Sequence, residues 1–175
     1  TQGSAKTLLG YVYMTLKQYT NAEKTLTDVT GLGYSLLPNY ADIFKNKNNA
    51  ESIFEVQYIE GSQGQQNDFA FKFAPNIDNV VNILGFPGQN QVVGGWNKPA
   101  PDLIAAYEPG DTRKAASIAF SYLDGSGNTI NEPYCIKYTH PPYARYDNAG
   151  DDWMVYRYAD VLLLLAECLN EEAKS

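Results

Sequence analysis

The chain has 175 residues, 44% of them hydrophobic and 13% aromatic, a globular composition long enough to build a core without a metal or disulfide framework. With 13 Lys and Arg against 20 Asp and Glu the formal net charge is -7, which leaves no electrostatic footprint for polyanions and argues against nucleic-acid binding. Cys135 and Cys168 stand far apart with no C-x-x-C and no flanking histidine, so neither a zinc site nor a redox dithiol is indicated. The longest apolar run, Val161 to Ala166, is far too short to span a membrane, and the first residues carry no secretory signal.

Apolar residues at Ala5, Leu8, Leu9, Val12, Leu16 and Tyr19 predict a helix with one buried face. Thr20 with Glu23 reads as a capping box opening a second helix, with Ala22, Leu26 and Val29 inside and Gly31 and Gly33 at its end. Together residues 4–33 carry Leu9-Gly10, Tyr13, Ala22 and Leu26 at the spacing of a tetratricopeptide-like unit, in which small residues let two antiparallel helices approach closely. No second copy follows. Asn39 and Asp42 then start a short helix through Ile43 and Phe44, and residues 51–58 alternate as a half-buried strand, Phe54, Val56 and Tyr58 on one side and Glu55 and Gln57 on the other.

Phe69, Phe71 and Phe73 alternate and predict an extended segment, and residues 76–97 read as a long surface loop. Pro101 and Asp102 open a short helix closed by Pro109-Gly110. Ile118, Phe120 and Tyr122 lead into a hairpin turn at Asp124 to Asn128, returning near Tyr134 to Tyr138. A last helix over residues 155–173 is apolar around more than half its circumference, which predicts burial between two layers, with Arg157 and Asp160 able to pair on one face. Both ends of the sequence run directly into helical pattern, so it is expected to be a piece of a longer chain.

Nucleophile-elbow, P-loop, dinucleotide and H-E-x-x-H motifs are absent. His140 sits in a loop before Pro141-Pro142 and is read as structural, and Asp111 with Arg113 as a turn brace. Asp151-Asp152 could supply the two carboxylates of glycoside hydrolysis, but adjacent acids before a helix more often solvate or cap it. Irregular segments hold the stronger signal: Trp96 and Asn97 follow Gly94-Gly95, Tyr143 and Tyr146 bracket Arg145, and Trp153 follows. A sugar offers an apolar C–H face and a rim of hydroxyls, so its site needs a flat ring beside amide, carboxylate or guanidinium groups. Trp96, Asn97, Tyr143, Arg145, Tyr146 and Trp153 are therefore the candidate glycan-binding residues. The competing reading is that these rings cover core beneath the loops.

The segment Arg157-Tyr158-Ala159-Asp160-Val161-Leu162-Leu163-Leu164-Leu165-Ala166-Glu167 resembles the R-Y-A-D-V-L-L-x-x-A-E signature of the SusD/RagB family, surface glycan-binding lipoproteins of polysaccharide-utilisation systems. Tyr40 to Phe44, Glu51 to Val56, Pro99 to Glu108, Asp111-x-Arg113 and Lys137-Tyr138 support the resemblance in the same order, and the whole 1–175 span looks like the C-terminal half of a member. The resemblance implies a mainly α fold with small β-elements, built on tetratricopeptide-like pairs with long loops. It also implies a non-enzymatic protein lipid-anchored on the outer face of the outer membrane, delivering oligosaccharides to a TonB-dependent SusC-like transporter. Arg157, Asp160 and Glu167 belong to the structural signature, and no ligand residue carries over by motif. No cofactor is indicated, and a calcium ion bracing a loop stays open. The alternative is a protein-interaction scaffold that docks on the transporter while the sugar site lies in the missing N-terminal half.

Overall fold

Thr1 caps the first helix by accepting a hydrogen bond from the Ser4 backbone N–H, and the chain then alternates helices with short ribbons throughout the computed structural model, which describes residues 1–77, 81–85 and 94–173. The helices are α1 (Gln2–Thr15), α2 (Tyr19–Thr30), α3 (Asp42–Lys45), α4 (Phe69–Phe73), α5 (Val81–Leu84), α6 (Pro101–Ala106), α7 (Thr112–Ser117) and α8 (Tyr158–Glu172). The strands are β1 (Ser52–Val56), β2 (Ile118–Ala119), β3 (Tyr122–Leu123), β4 (Thr129–Ile130), β5 (Tyr134–Cys135) and β6 (Trp153–Arg157). This is a mainly helical fold with small sheet elements, the class expected. The chain divides into two units: residues 1–39, 46–56 and 153–175 form a helical one, and residues 40–45 with 57–152 a loop-rich one.

In the helical unit α2 buries Ala22, Leu26 and Val29, the face its spacing anticipates, and they pack with Ile53, Val161 and Cys168. For α1 the expectation fails. Its buried residues are Gly3, Thr7 and Gly10, while Leu8, Leu9, Val12 and Leu16 are exposed. Close helix approach selects small residues: a Cβ on Gly10 would stand 2.4 Å from Leu26 Cδ2, and one on Gly3 would meet the Tyr34 ring. The Thr20–Glu23 capping box also does not form, since the N-cap of α2 lies two residues earlier, at Gln18, with no side-chain cap.

β1 pairs antiparallel with β6, and its alternation is real but turned over. Ile53 and Glu55 face inward, Phe54 and Val56 outward. Glu55 is tolerated there because its carboxylate accepts from Asn48 N at 2.6 Å and from the Ser52 hydroxyl at 2.9 Å. Residues 155–157, expected as helix, instead finish β6, and α8 starts at Tyr158 where Asp160 accepts the Arg157 N–H at 2.8 Å. Glu51, 2% exposed, accepts from Leu37 N at 3.1 Å and from Arg157 Nη1 at 3.0 Å. Burial of α8 between two layers is also corrected: Val161 and Cys168 are buried, but Leu163 and Leu169 are exposed and Glu167 faces solvent.

In the loop-rich unit the core is aromatic, with Phe71, Leu84, Tyr122, Tyr134 and Tyr143 at its centre. The extended segment expected at Phe69–Phe73 is the helix α4, in which Phe69 and Phe73 stack on one face with centroids 6.4 Å apart while Phe71 is fully buried. Five residues do not separate period 2 from period 3.6, and the i,i+4 ring contact with the Asp68–Lys72 ion pair favours the helix. Within residues 76–97, read as loop, Val81–Leu84 forms α5 with Ile83 and Leu84 buried; residues 78–80 and 86–93 lie outside the described residues. The predicted hairpin has two tiers, β3 pairing β4 next to the turn and β2 pairing β5 beyond it. Asp124 closes the turn by accepting from Ser126 N and Asn128 N at 2.9 and 2.8 Å.

Candidate functional site

The segment from Gly94 to Pro99 is held against the end of α4. Gly95 N donates to Ala74 O at 2.6 Å and Trp96 N to Lys72 O at 2.9 Å, satisfying carbonyls that a helix end leaves open. Gly94 is required by this approach, since a Cβ there would lie 2.1 Å from Ala74 O. Asn97 takes φ +54°, a value asparagine tolerates better than most residues. The Trp96 indole is left 59% exposed, with Lys72 Nζ 5.7 Å from its ring centroid.

Asn97, Lys98 and Pro99 lead from this indole into a cleft. A cavity of about 220 Å³ is lined by these three residues together with Tyr40, Leu103, Tyr107, Ile118 and Lys137, among others. A second, of about 260 Å³, shares Tyr40, Leu103 and Tyr107 and adds Ala106 and Arg113. The Tyr40 ring is steadied edge-on by Phe44 at 5.3 Å. Arg113 is fixed by Asp111, which caps α7 by accepting Arg113 N at 2.9 Å and takes Arg113 Nη2 at 2.5 Å; this pairing holds the Asp111 carboxyl below its ordinary range. Lys98 pairs with Glu132, and the Lys137 ammonium lies 4.2 Å from the Phe44 ring centroid. The cleft thus joins half-buried phenol rings, an amide and three cationic side chains.

The other sequence candidates separate. Tyr143, expected as a sugar platform, is 5% exposed: its ring packs on Phe71 with centroids 5.2 Å apart, and its hydroxyl donates to Asp151 Oδ2 at 2.7 Å while accepting from His140 N at 2.7 Å. Burial and the Asp151 charge push its ionisation far above that of a free phenol. Tyr146 is half-buried edge-on to the same Phe71 at 5.3 Å, and Arg145 is exposed. Trp153 is half-buried on β6 in the helical unit, paired with Val56 of β1. Core cover therefore replaces the platform role for Tyr143, because the aromatic core needs a ring over Phe71 and its hydroxyl finds buried partners.

Asp151 also engages His140 Nδ1 at 2.6 Å, and Asp152, 7% exposed, accepts Tyr58 N at 2.8 Å. Both carboxylates suggested for hydrolysis are braces between loops. No group of three or more His, Cys, Asp or Glu residues suited to a metal occurs among the described residues. No helix among them is long and apolar enough to cross a membrane.

Tyr40, Tyr107, Lys98, Arg113 and Lys137 were not among the sequence candidates for the site. A signal for them existed: the segments that resemble the family motifs, Tyr40 to Phe44, Pro99 to Glu108, Asp111-x-Arg113 and Lys137-Tyr138, all contribute walls or supports of one cleft.

Residues 121–175 match the model of the SusD family. The chain is 28% identical over 174 residues to SusD-like protein P25 of Formosa agariphila, covering 79% of this chain and 32% of that protein. It aligns with a laminarin-binding SusD-like protein at TM-score 0.72 and 27% identity, over 95% of this chain and 43% of that one. It aligns with surface glycan-binding protein A from Bacteroides thetaiotaomicron at TM-score 0.78 and 20% identity, over 99% of this chain and 44% of that one. The chain thus spans well under half the length of each relative. The family match falls on the segment that holds the Arg157-Tyr158-Ala159-Asp160 helix start, and the chain as a whole is similar in sequence and fold to these SusD-like proteins.

Proposed function

We propose that this chain belongs to a non-catalytic glycan-binding protein of the cell surface, in which the cleft beside Trp96 receives oligosaccharide. The observation that carries this reading is the exposed Trp96 indole in the chain position just before Asn97, which lines an open cleft with Tyr40 and Tyr107. Aromatic faces cover the apolar side of a pyranose, and the amide, phenol and cationic donors meet its hydroxyls. Each such hydrogen bond replaces one to water, so net gains are about 1 kcal/mol per contact and affinity is modest. The engagement of Asp151 and Asp152 in loop bracing favours binding over hydrolysis. The laminarin-binding relative supports a glucan or similar polysaccharide as the source. By family, the protein is lipid-anchored on the extracellular face of the outer membrane and passes its ligand to a TonB-dependent SusC-like transporter.

Affinity-gel retention tests this reading. Trp96→Ala and Tyr107→Ala each abolish retention on the polysaccharide that holds the wild type, with unchanged melting curves. Full retention by both variants rejects the cleft as the site.

The exposed leucines of α1 and α8 favour a second reading, a scaffold docking on the transporter with sugar bound elsewhere. It expects a chain that ignores all oligosaccharides yet co-purifies with the transporter.

A further inference from the structure

Carboxylates of the loop-rich unit serve as braces: Asp124 accepts Ser126 N and Asn128 N, Asp111 accepts Arg113 N, and Asp151 engages His140 Nδ1 and accepts the Tyr143 hydroxyl. Asp147 stands apart. Its Oδ1 is buried, and among the described residues no hydrogen bond reaches it. The backbone there is left-handed, at φ +48°, and the residue is half-buried. Burial raises its carboxyl above the ordinary range; the Asp68 charge adds to the rise and Lys72 opposes it. A covered acceptor without a donor costs stability, so its presence calls for a use outside the fold's own bracing.

Lys72 links Asp147 to the exposed ring. Its Nζ lies 5.7 Å from the Trp96 ring centroid, and its ion pair with Asp68, at 3.8 Å, is longer than a hydrogen bond. The Trp96 backbone is fastened at the same place, its N–H donating to Lys72 O at 2.9 Å, while the indole stays exposed. The end of α4 thus gathers an open aromatic face, an ammonium held by no hydrogen bond among the described residues, and a carboxylate that feels that ammonium yet keeps an acceptor unused.

A sugar hydroxyl both donates and accepts, so it completes such a set: its proton goes to the carboxylate, its oxygen takes the ammonium, and the ring's C–H face lies on the indole. Both hydrogen bonds are charge-assisted, each about twice as strong as a neutral one. With one ammonium beside two carboxylates, an acidic sugar meets repulsion from Asp68 and Asp147 that an uncharged one escapes. On the reading that Trp96 receives sugar, we infer that Lys72 and Asp147 are the polar half of its subsite and together hold one hydroxyl of a neutral pyranose stacked on the indole.

The test is calorimetric titration of the full-length protein with laminarihexaose, cellohexaose and maltohexaose, the tightest binder then being carried through the variants. Asp147→Asn and Asp147→Gly both accept a left-handed backbone, and Lys72→Met keeps the apolar stem without the charge. Each weakens binding by about tenfold, as expected for a hydrogen bond to a charged group. The Asp147 variants melt at the wild-type temperature or above it, because they remove an unpaired acceptor and no brace. Lys72→Met combined with Asp147→Gly loses much less than the product of the single losses, since both residues act on one hydroxyl.

Undiminished binding by Lys72→Met or by the Asp147 variants, with binding still lost on Trp96→Ala, overturns this inference and leaves the proposed function standing. Lower melting temperatures in both Asp147 variants make the residue a fold brace and overturn it too, as do losses that multiply in full in the double variant. Failure to bind any of the three hexasaccharides overturns the neutral ligand. Binding that survives Trp96→Ala overturns the proposed function together with the inference.

Discussion

In the helical unit the buried side chains are aliphatic or small, Ala22, Leu26, Val29, Ile53 and Val161, and one ion pair, Glu51 with Arg157, ties β1 to the start of α8. In the loop-rich unit they are aromatic, Phe71, Tyr122, Tyr134 and Tyr143, and polar side chains, Asn67, Asn148, Asp151 and Asp152, join one loop to the next. Regular helices satisfy their own backbone, so the first unit spends few side-chain hydrogen bonds on it. Loops leave N–H groups open, and the second must meet them with carboxylates and amides. That need explains why Asp151, Asp152 and Tyr143 are taken up in loop bracing.

Substitutions aimed at each unit sharpen this contrast. Glu51→Ala takes the acceptor from the Leu37 N–H and the buried carboxylate from Arg157 Nη1, and costs about 3–5 kcal/mol, read as a fall in the urea midpoint. The same loss with Glu51→Gln would show that charge, rather than shape, is what β1 supplies.

Tyr143→Phe acts on the other unit. It keeps the ring on Phe71 but removes a donor from Asp151 and an acceptor from His140 N, for about 1–3 kcal/mol. If chemical denaturation registers no change, the polar brace is not what holds these loops.

Acid probes the hairpin turn of the loop-rich unit. The Asp124 carboxyl is held below its ordinary range, first by the Asn128 backbone and side-chain hydrogen bonds. A depressed carboxylate adds stability above its unfolded value, lost as pH falls through the lower folded value. Thermal melts below pH 4 should therefore weaken the β3–β4 hairpin, and Asp124→Asn should flatten that pH dependence.

Trp96→Ala is the smallest in stability, within about 0.5 kcal/mol because the ring is exposed, and the largest in glycan retention. A melting temperature lowered by several degrees would class Trp96 with Tyr143 as core cover.

Much of this arrangement is legible in residue order. Ala22, Leu26 and Val29 identify the inner face of α2, Asp124 to Asn128 the hairpin turn, and Pro101 the start of α6. What resisted reading has physical causes. On α1 the apolar stripe is exposed and the glycine stripe buried, because close helix approach favours an absent side chain over an oily one. In β1 a buried Glu55 inverts the expected face, since two local donors satisfy it. For the candidate cleft, Asn97 was visible as an amide beside Trp96 after two glycines, whereas Tyr40, Tyr107, Arg113 and Lys137 are spread over about a hundred residues and only folding gathers them.

Composition, periodicity and the Arg157 to Glu167 signature thus determined the class of fold and the resemblance to the SusD/RagB family, because those depend on local patterns and on residue types. Which rings remain open to a ligand and which roof the core was decided by tertiary contacts. Tyr143 and Trp96 are both aromatic residues in irregular chain, and they differ in what lies beneath them: Phe71 and Asp151 draw the first inward, while the carbonyls at the end of α4 hold the backbone of the second and leave its ring in solvent.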